Sequence, residues 1–161
     1  MITSEAVERT CSEIGEYTDE QMVSEFERFF HAQPALCDFV FELTHESGQK
    51  IQELSLFLTY MVFRAIESSD AGVNTVERED IEEAYRQTES WMTLISEAEE
   101  TQFEGAILES LEREAEPYLL QYVISELNEP VEDGETLNEE EKGEVFFLLK
   151  TIISSFRSSG L

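Results

Sequence analysis

Lysine occurs three times in this chain and arginine seven, against 37 acids, for a formal net charge of −27. With so few bases, no stretch assembles the cationic patch that nucleic acid or an anionic lipid surface requires, and neither is expected as a partner. Cysteine is almost as scarce: Cys11 and Cys37 stand alone and far apart, which makes neither a disulfide framework nor a zinc site. Both read as small apolar core residues of a reduced, intracellular protein. Long hydrophobic runs are missing too. The longest, LSLFLTYMVF at 54–63, is about half of what crosses a bilayer and ends at Arg64. The opening MITSEAVERTCSEIGEY is acidic and has no apolar signal-peptide region, so the expected location is the cytoplasm.

Glycine and proline are sparse as well, seven and three in 161 residues, and strand patterns are nearly absent. What remains is rich in Glu, Leu, Ala and Gln, the residues that lose least on entering a helix. The apolar fraction of 41%, with 11 Phe, is enough for a core, so the charge does not imply disorder. The expectation is an all-α, single-domain bundle of six to eight helices spanning 1–161.

Helix boundaries can be placed from caps and breakers. Thr3 or Ser4 caps a first helix to about Ile14. Thr18 and Gln21 have capping-box spacing ahead of a second, with Met22, Val23, Phe26, Phe29 and Phe30 assigned to one inner face. Pro34 suits the first position of a third helix, to about Glu46, before Ser47–Gly48 breaks it. A fourth runs from about 49 to 68 and is apolar nearly all round over 54–63, the mark of a buried helix. After the loop SSDAGVN, a long amphipathic helix is expected to open at Thr75, with Ile81, Ala84, Tyr85, Trp91, Met92 and Ile95 inward. Another is expected over about 100–115, one from Pro117 to near Asn128, then a long acidic loop at 128–141 and a final apolar helix from 142.

Setting Pro34 on Pro117 brings out a repeat. Leu36, Cys37, Phe39, Val40 and Phe41 face Leu119, Leu120, Tyr122, Val123 and Ile124, while Leu43 against Glu126 is a mismatch. After an eight-residue insertion, 54–65 faces 145–156, with Leu56, Phe57 and Leu58 against Phe147, Leu148 and Leu149, and Met61 and Val62 against Ile152 and Ile153. An internal duplication of a helical hairpin is therefore expected, in halves of about 18–69 and 98–158 linked by a helix at about 75–96. It predicts that the two most apolar helices pack together at the centre.

The stretch FFHAQPALCDFVFELTHES at 29–47 holds the chain's two histidines, His31 and His45, and a Glu42-x-x-His45 pair of the kind that holds metals in helical bundles. Glu42, His45 and Glu46 are the candidate metal ligands. Stepping about 100° per residue from Leu36 puts Phe39, Val40 and Leu43 within about 60°, with Cys37 and Phe41 extending the apolar arc to about 140°. His45, Asp38 and Glu42 then fall at about 180°, 200° and 240°, on the solvent side, whereas a bundle metal site projects its ligands into the core. The second copy carries Ser125 and Asn128 at those positions. The expectation is no metal and no cofactor. His31, at the end of the second helix, reads as a helix-dipole partner.

No glycine-rich phosphate loop and no G-x-S-x-G elbow occurs. Cys37 with His31 or His45 would be a nucleophile pair, but burial on the apolar arc raises a thiol pKa and blunts it. The chain thus reads as no enzyme, an acidic helical protein working by protein–protein contact with a partner that is basic, or as a homodimer. The acidic blocks 96–116 and 128–141 are the candidate partner surfaces. Two other readings are a metal- or small-ligand-binding bundle at Glu42, His45 and Glu46, and a DNA mimic that occupies a basic protein. A saline cytoplasm would also favour an acidic surface with little lysine, although the preference for Glu over Asp and the many Phe fit that less well.

Overall fold

The first two helices begin where the side-chain chemistry places them. In the computed structural model, which describes residues 1–69, 72–96, 116–129 and 137–158, the hydroxyl of Thr3 accepts from the Ala6 N–H at 3.1 Å and opens α1, Ser4–Gly15. Thr18 and Gln21 form the full reciprocal box at the start of α2, Asp19–Ala32, with N···O distances of 2.8 and 3.1 Å. Each such box satisfies two of the four N–H groups that a helix start leaves without an intrahelical partner. Pro34 is the first residue of α3, Pro34–Thr44. Gly48, at φ 91°, makes the turn into α4, Gln49–Glu67, a left-handed conformation that costs glycine nothing. The remaining helices are α5 Arg78–Ser96, α6 Pro117–Leu127 and α7 Glu139–Ser158. Every regular element among the described residues is a helix, as the composition requires. The helix expected over about 100–115 lies outside the described residues.

Two starts differ from the sequence reading. Helix α5 opens at Arg78 rather than Thr75: the Glu77 carbonyl accepts from the Ile81 N–H at 3.2 Å, and the Glu77 N–H donates to the Asp80 carboxylate at 3.0 Å, while the Val76 N–H upstream donates to the Gln33 side chain. Helix α7 opens at Glu139 rather than 142, since Asn138 and Glu141 form a second reciprocal cap at 2.8 and 3.0 Å. Leu137, just ahead of this cap, is buried.

Helices α4 and α7 pack against each other and carry the core. Leu58, Tyr60, Met61, Val62 and Phe63 of α4 and Leu149, Ile152 and Phe156 of α7 are wholly or almost wholly buried, each large apolar side chain contributing about 1.5–3 kcal/mol by leaving water. Around this pair, α3 and α1 cover α4, α6 and α5 cover α7, α1 also reaches α6, and α5 also reaches α3. On one flank Phe26, Phe29, Tyr60 and Phe63 cluster with ring centroids 5.0–6.4 Å apart. There Arg28 forks onto Glu67 at 2.6 and 2.7 Å, and Arg64 reaches Glu13 at 2.9 Å, tying α2 and α1 to α4.

Under the register that sets Pro34 on Pro117, the environments coincide. Leu36, Cys37, Val40 and Thr44 are the buried residues of α3, and Leu119, Leu120, Val123 and Leu127 those of α6. The residues before the two prolines, Gln33 and Glu116, are both buried and share one unusual backbone conformation, φ −134° ψ 61° and φ −129° ψ 65°. Their side chains act alike: Gln33 Oε1 accepts from the Val76 N–H at 2.9 Å ahead of α5, and Glu116 Oε2 accepts from the Ile2 N–H at 2.7 Å ahead of α1.

Candidate functional site

Helix α3 holds the residues with the most chemistry. Its core side is apolar and its outer side carries Asp38, Glu42 and, just past its end, His45 and Glu46, all four exposed. Glu42 faces α5, where Arg78 approaches it at 3.7 Å and also reaches Glu82 at 3.6 Å. His45 is the residue that ends the helix. No three of the described His, Cys, Asp or Glu residues converge as a metal would need. Cys37 is buried in the core, about 80° round α3 from the exposed His45, and burial, with Asp38 adding to it, pushes its thiol up to about 12. Such a thiol is almost entirely protonated at neutral pH and a poor nucleophile. Cys11 departs from the expected burial: it is half-exposed at the α1–α6 contact, near Tyr122. Burial first, then the nearby Glu126 carboxyl, raises its thiol as well.

Glu42 and Arg78 border an open cleft of about 320 Å³ between α3 and α5, floored by Phe39, Ile81 and Tyr85. The rings of Phe39 and Tyr85 meet edge to face at 6.3 Å. Both arginines of this cleft are already engaged by carboxylates, Arg78 as above and Arg86 by Glu83 at 2.6 Å. The cleft is therefore closed by ion pairs at its rim rather than offering free charge.

The surface feature that sequence reasoning missed lies on α2 and α3. Val23 and Phe30 were assigned to the inner face, yet they are 61% and 37% exposed, and Phe41 of α3 is 41% exposed. Met22, Phe26 and Phe29 form the stripe that meets the core, and Val23 and Phe30 sit about 80–100° round the helix from it. The half-buried Phe26 bridges the two, its ring 6.1 Å from Phe30, and Phe30 lies 6.3 Å from Phe41. The three rings make one apolar strip, and Val23 stands one turn before Phe26 on the same helix. Exposed carboxylates border it, Glu20 and Glu27 on α2 and Asp38 on α3, each three or four residues from a member of the strip. The available signal was the width of the apolar arc. Seven large apolar residues at 29–47 are more than one core stripe can bury.

Trp91, expected inward, is half-buried against Phe146 at 5.8 Å and under the buried Lys150, whose Nζ lies 4.8 Å from the indole. Most of the acidic block 96–116, and residues 130–136 of the other, lie outside the described residues. Among the described residues no helix is long and apolar enough to cross a membrane. Comparison with protein-family models, with curated proteins and with solved structures finds no match.

Proposed function

We propose that this protein acts by binding another protein, without catalysis, and that the Val23–Phe26–Phe30–Phe41 strip is its contact surface. The observation that carries the reading is that strip: exposed and bordered by carboxylates in a chain of net charge −27. Single exposed apolar residues are ordinary, but grouped ones rimmed by polar groups mark contact surfaces. Val23 and Phe30 are seven residues apart on one face, about 10 Å along the helix axis. That length suits two turns of a partner helix with apolar anchors at i, i+3 or i+4, and i+7. Charge complementarity fixes the flanks of that helix as Lys and Arg.

The test uses a designed Leu/Lys peptide with helical periodicity, titrated against the full chain by fluorescence anisotropy at low and high salt. A basic peptide will meet any strongly acidic protein at low salt, so the apolar contribution must be isolated. Phe30→Ser and Phe41→Ser change no charge and lie on the surface, and together they should weaken binding at least tenfold at both salt concentrations. Tyr118→Ser, an exposed aromatic on α6, should leave it unchanged. Binding that vanishes with salt and ignores the Phe substitutions would show attraction to bulk charge alone and end this reading.

A further inference from the structure

Buried hydroxyls in this fold follow one rule. Thr10, Thr44, Thr59, Thr88, Thr151 and Ser155 each donate to a backbone carbonyl three or four residues earlier, at 2.6–2.9 Å. Ser55, in the middle of α4 and fully buried, is the exception. Its Oγ makes no hydrogen bond, the only buried side-chain polar atom among the described residues of which this is true. A buried donor left unpaired is costly and is seldom retained without a partner to meet it.

Ser55 borders a half-open cavity of about 270 Å³ between α3, α4, α5 and α7. That volume equals the liquid share of about nine waters, just below the usual range of small-molecule sites. Its walls are Leu43, Val145 and Phe147, and the edge of Tyr85 meets the Phe147 ring at 5.2 Å. Glu144, exposed, stands at the rim, where the Ser47 hydroxyl donates to one of its oxygens. In the register that aligns the two apolar helices, the residue opposite Ser55 is Phe146, a large ring packed against Trp91. Thus the first half keeps a small hydroxyl, and a cavity beside it, where the second half has a ring.

We infer that this cavity binds a small organic ammonium compound with an apolar body and a hydroxyl or carbonyl oxygen at its far end. The ammonium pairs with Glu144 at the rim and lies against the Tyr85 and Phe147 rings, which attract cations. The negative field of the whole chain concentrates such cations and repels carboxylates. Leu43 and Val145 cover the body, and the far oxygen meets Ser55 Oγ. This site is separate from the α2–α3 strip and does not depend on the reading proposed for it.

Three probes of one chain length, aminopentanol, pentylamine and hydroxypentanoate, separate these roles in saturation-transfer NMR titrations of the full-length protein. Aminopentanol should bind saturably and several-fold more tightly than pentylamine, and hydroxypentanoate should not bind. Ser55→Ala should abolish the difference between the two amines. Glu144→Gln should weaken both at least several-fold. Circular dichroism on each variant confirms that it is folded, and Ser55→Ala alone should leave the thermal midpoint unchanged or raised. Absence of saturable amine binding to the folded protein overturns the proposal. So does binding indifferent to both substitutions, equal binding of the hydroxy acid, or a lowered midpoint in Ser55→Ala, which would show the hydroxyl serving the fold itself.

Discussion

Replacing Gln33 by alanine should destabilise this protein far more than its position at a helix junction suggests. The Gln33 amide spans the gap to the segment ahead of α5, donating through Nε2 to the Asn74 carbonyl and accepting at Oε1 from the Val76 N–H, both at 2.9 Å. Val76 is fully buried, so in Gln33→Ala its N–H has no water to turn to and bears its full desolvation cost, about 1–3 kcal/mol. Asn74 is exposed, so its carbonyl finds water and adds little. With the lost packing of a side chain that is itself buried, the expected cost is about 2–4 kcal/mol. In urea unfolding with a slope near 2 kcal/mol/M, the midpoint falls by about 1–2 M. Gln33→Glu keeps an acceptor for Val76 but turns its second carboxylate oxygen toward the Asn74 carbonyl in a buried site, which favours the protonated acid. Its deficit should therefore shrink as pH falls, whereas that of alanine should not. Amide exchange gives a local check, because the Val76 N–H should lose protection beyond the rest of α5 in the alanine variant and keep it in the glutamate one. A loss below about 0.5 kcal/mol, the range of ordinary surface changes, with Val76 still protected, would refute the reasoning.

Glu116→Gln should cost less than Glu116→Ala, since it retains the acceptor for the Ile2 N–H and gives up only the charge that faces the Met1 ammonium at 3.9 Å, whereas Glu116→Ala should approach the Gln33→Ala cost; urea midpoints of the pair decide this. Phe29→Ala removes a fully buried ring from the four-aromatic cluster and should cost about 3–5 kcal/mol by the same assay, with Val23→Ala on the exposed flank within about 0.5. Neither Cys37, raised to about 12 by burial, nor Cys11 should react quickly with a thiol reagent at neutral pH; complete labelling in urea and rapid labelling without it would contradict the burial assigned to Cys37. Burial, with Glu129 nearby, raises the Glu126 carboxyl above its usual range, so the folded state binds that proton more tightly than the unfolded chain does. Its favourable contribution is complete below about pH 4.3 and is lost as pH rises through the raised value. Glu126→Gln should therefore gain stability over the native chain at neutral pH and show no gain in acid, read as the difference in urea midpoints across the pH range.

Glu126 also shows where the sequence could be read and where it could not. Aligned with Leu43 it looks like a break in the repeat, because identity is judged by residue type. In the fold both positions are half-buried, and the difference appears as a carboxyl pushed toward its neutral form. The caps at Thr3, Thr18 and Pro34 and the buried α4 were legible because each rests on neighbours within a few residues. The starts of α5 and α7 were harder. Asn138 with Glu141 has the same spacing as Thr18 with Gln21 and was hidden by the surrounding acids. At α5 the Asp80 carboxylate meets the Glu77 N–H, and the segment ahead of it is anchored by Gln33, 43 residues away from Val76. The α2–α3 strip and the Ser55 cavity are similarly non-local: one depends on which flank of an apolar arc meets a neighbour, the other on what four helices leave between them.

Shared burial is weak support for a duplication, since two amphipathic helices reach it independently. The buried polar residues before Pro34 and Pro117 say more. Their matching φ and ψ follow in part from preceding a proline, but nothing about an amphipathic helix demands that the residue before it be buried and reach across to the N–H two residues ahead of another helix. In the register that sets Pro34 on Pro117, that arrangement puts α1 opposite α5, a pairing absent from the sequence reading, which began the first half at residue 18 and treated 75–96 as a link. Helix α1 packs on α4 and also on α6, and α5 packs on α7 and also on α3, so each would touch both halves. Two-fold homodimers are built from reciprocal contacts of this kind, so a chain formed by joining two copies end to end would inherit them. A duplicate joined in this way need not keep both halves equal in chemistry. Gln33 and Glu116 differ while performing one task. Ser55 and Phe146 differ in whether a side chain or a cavity fills the space, and a ligand site would arise from that second kind of difference.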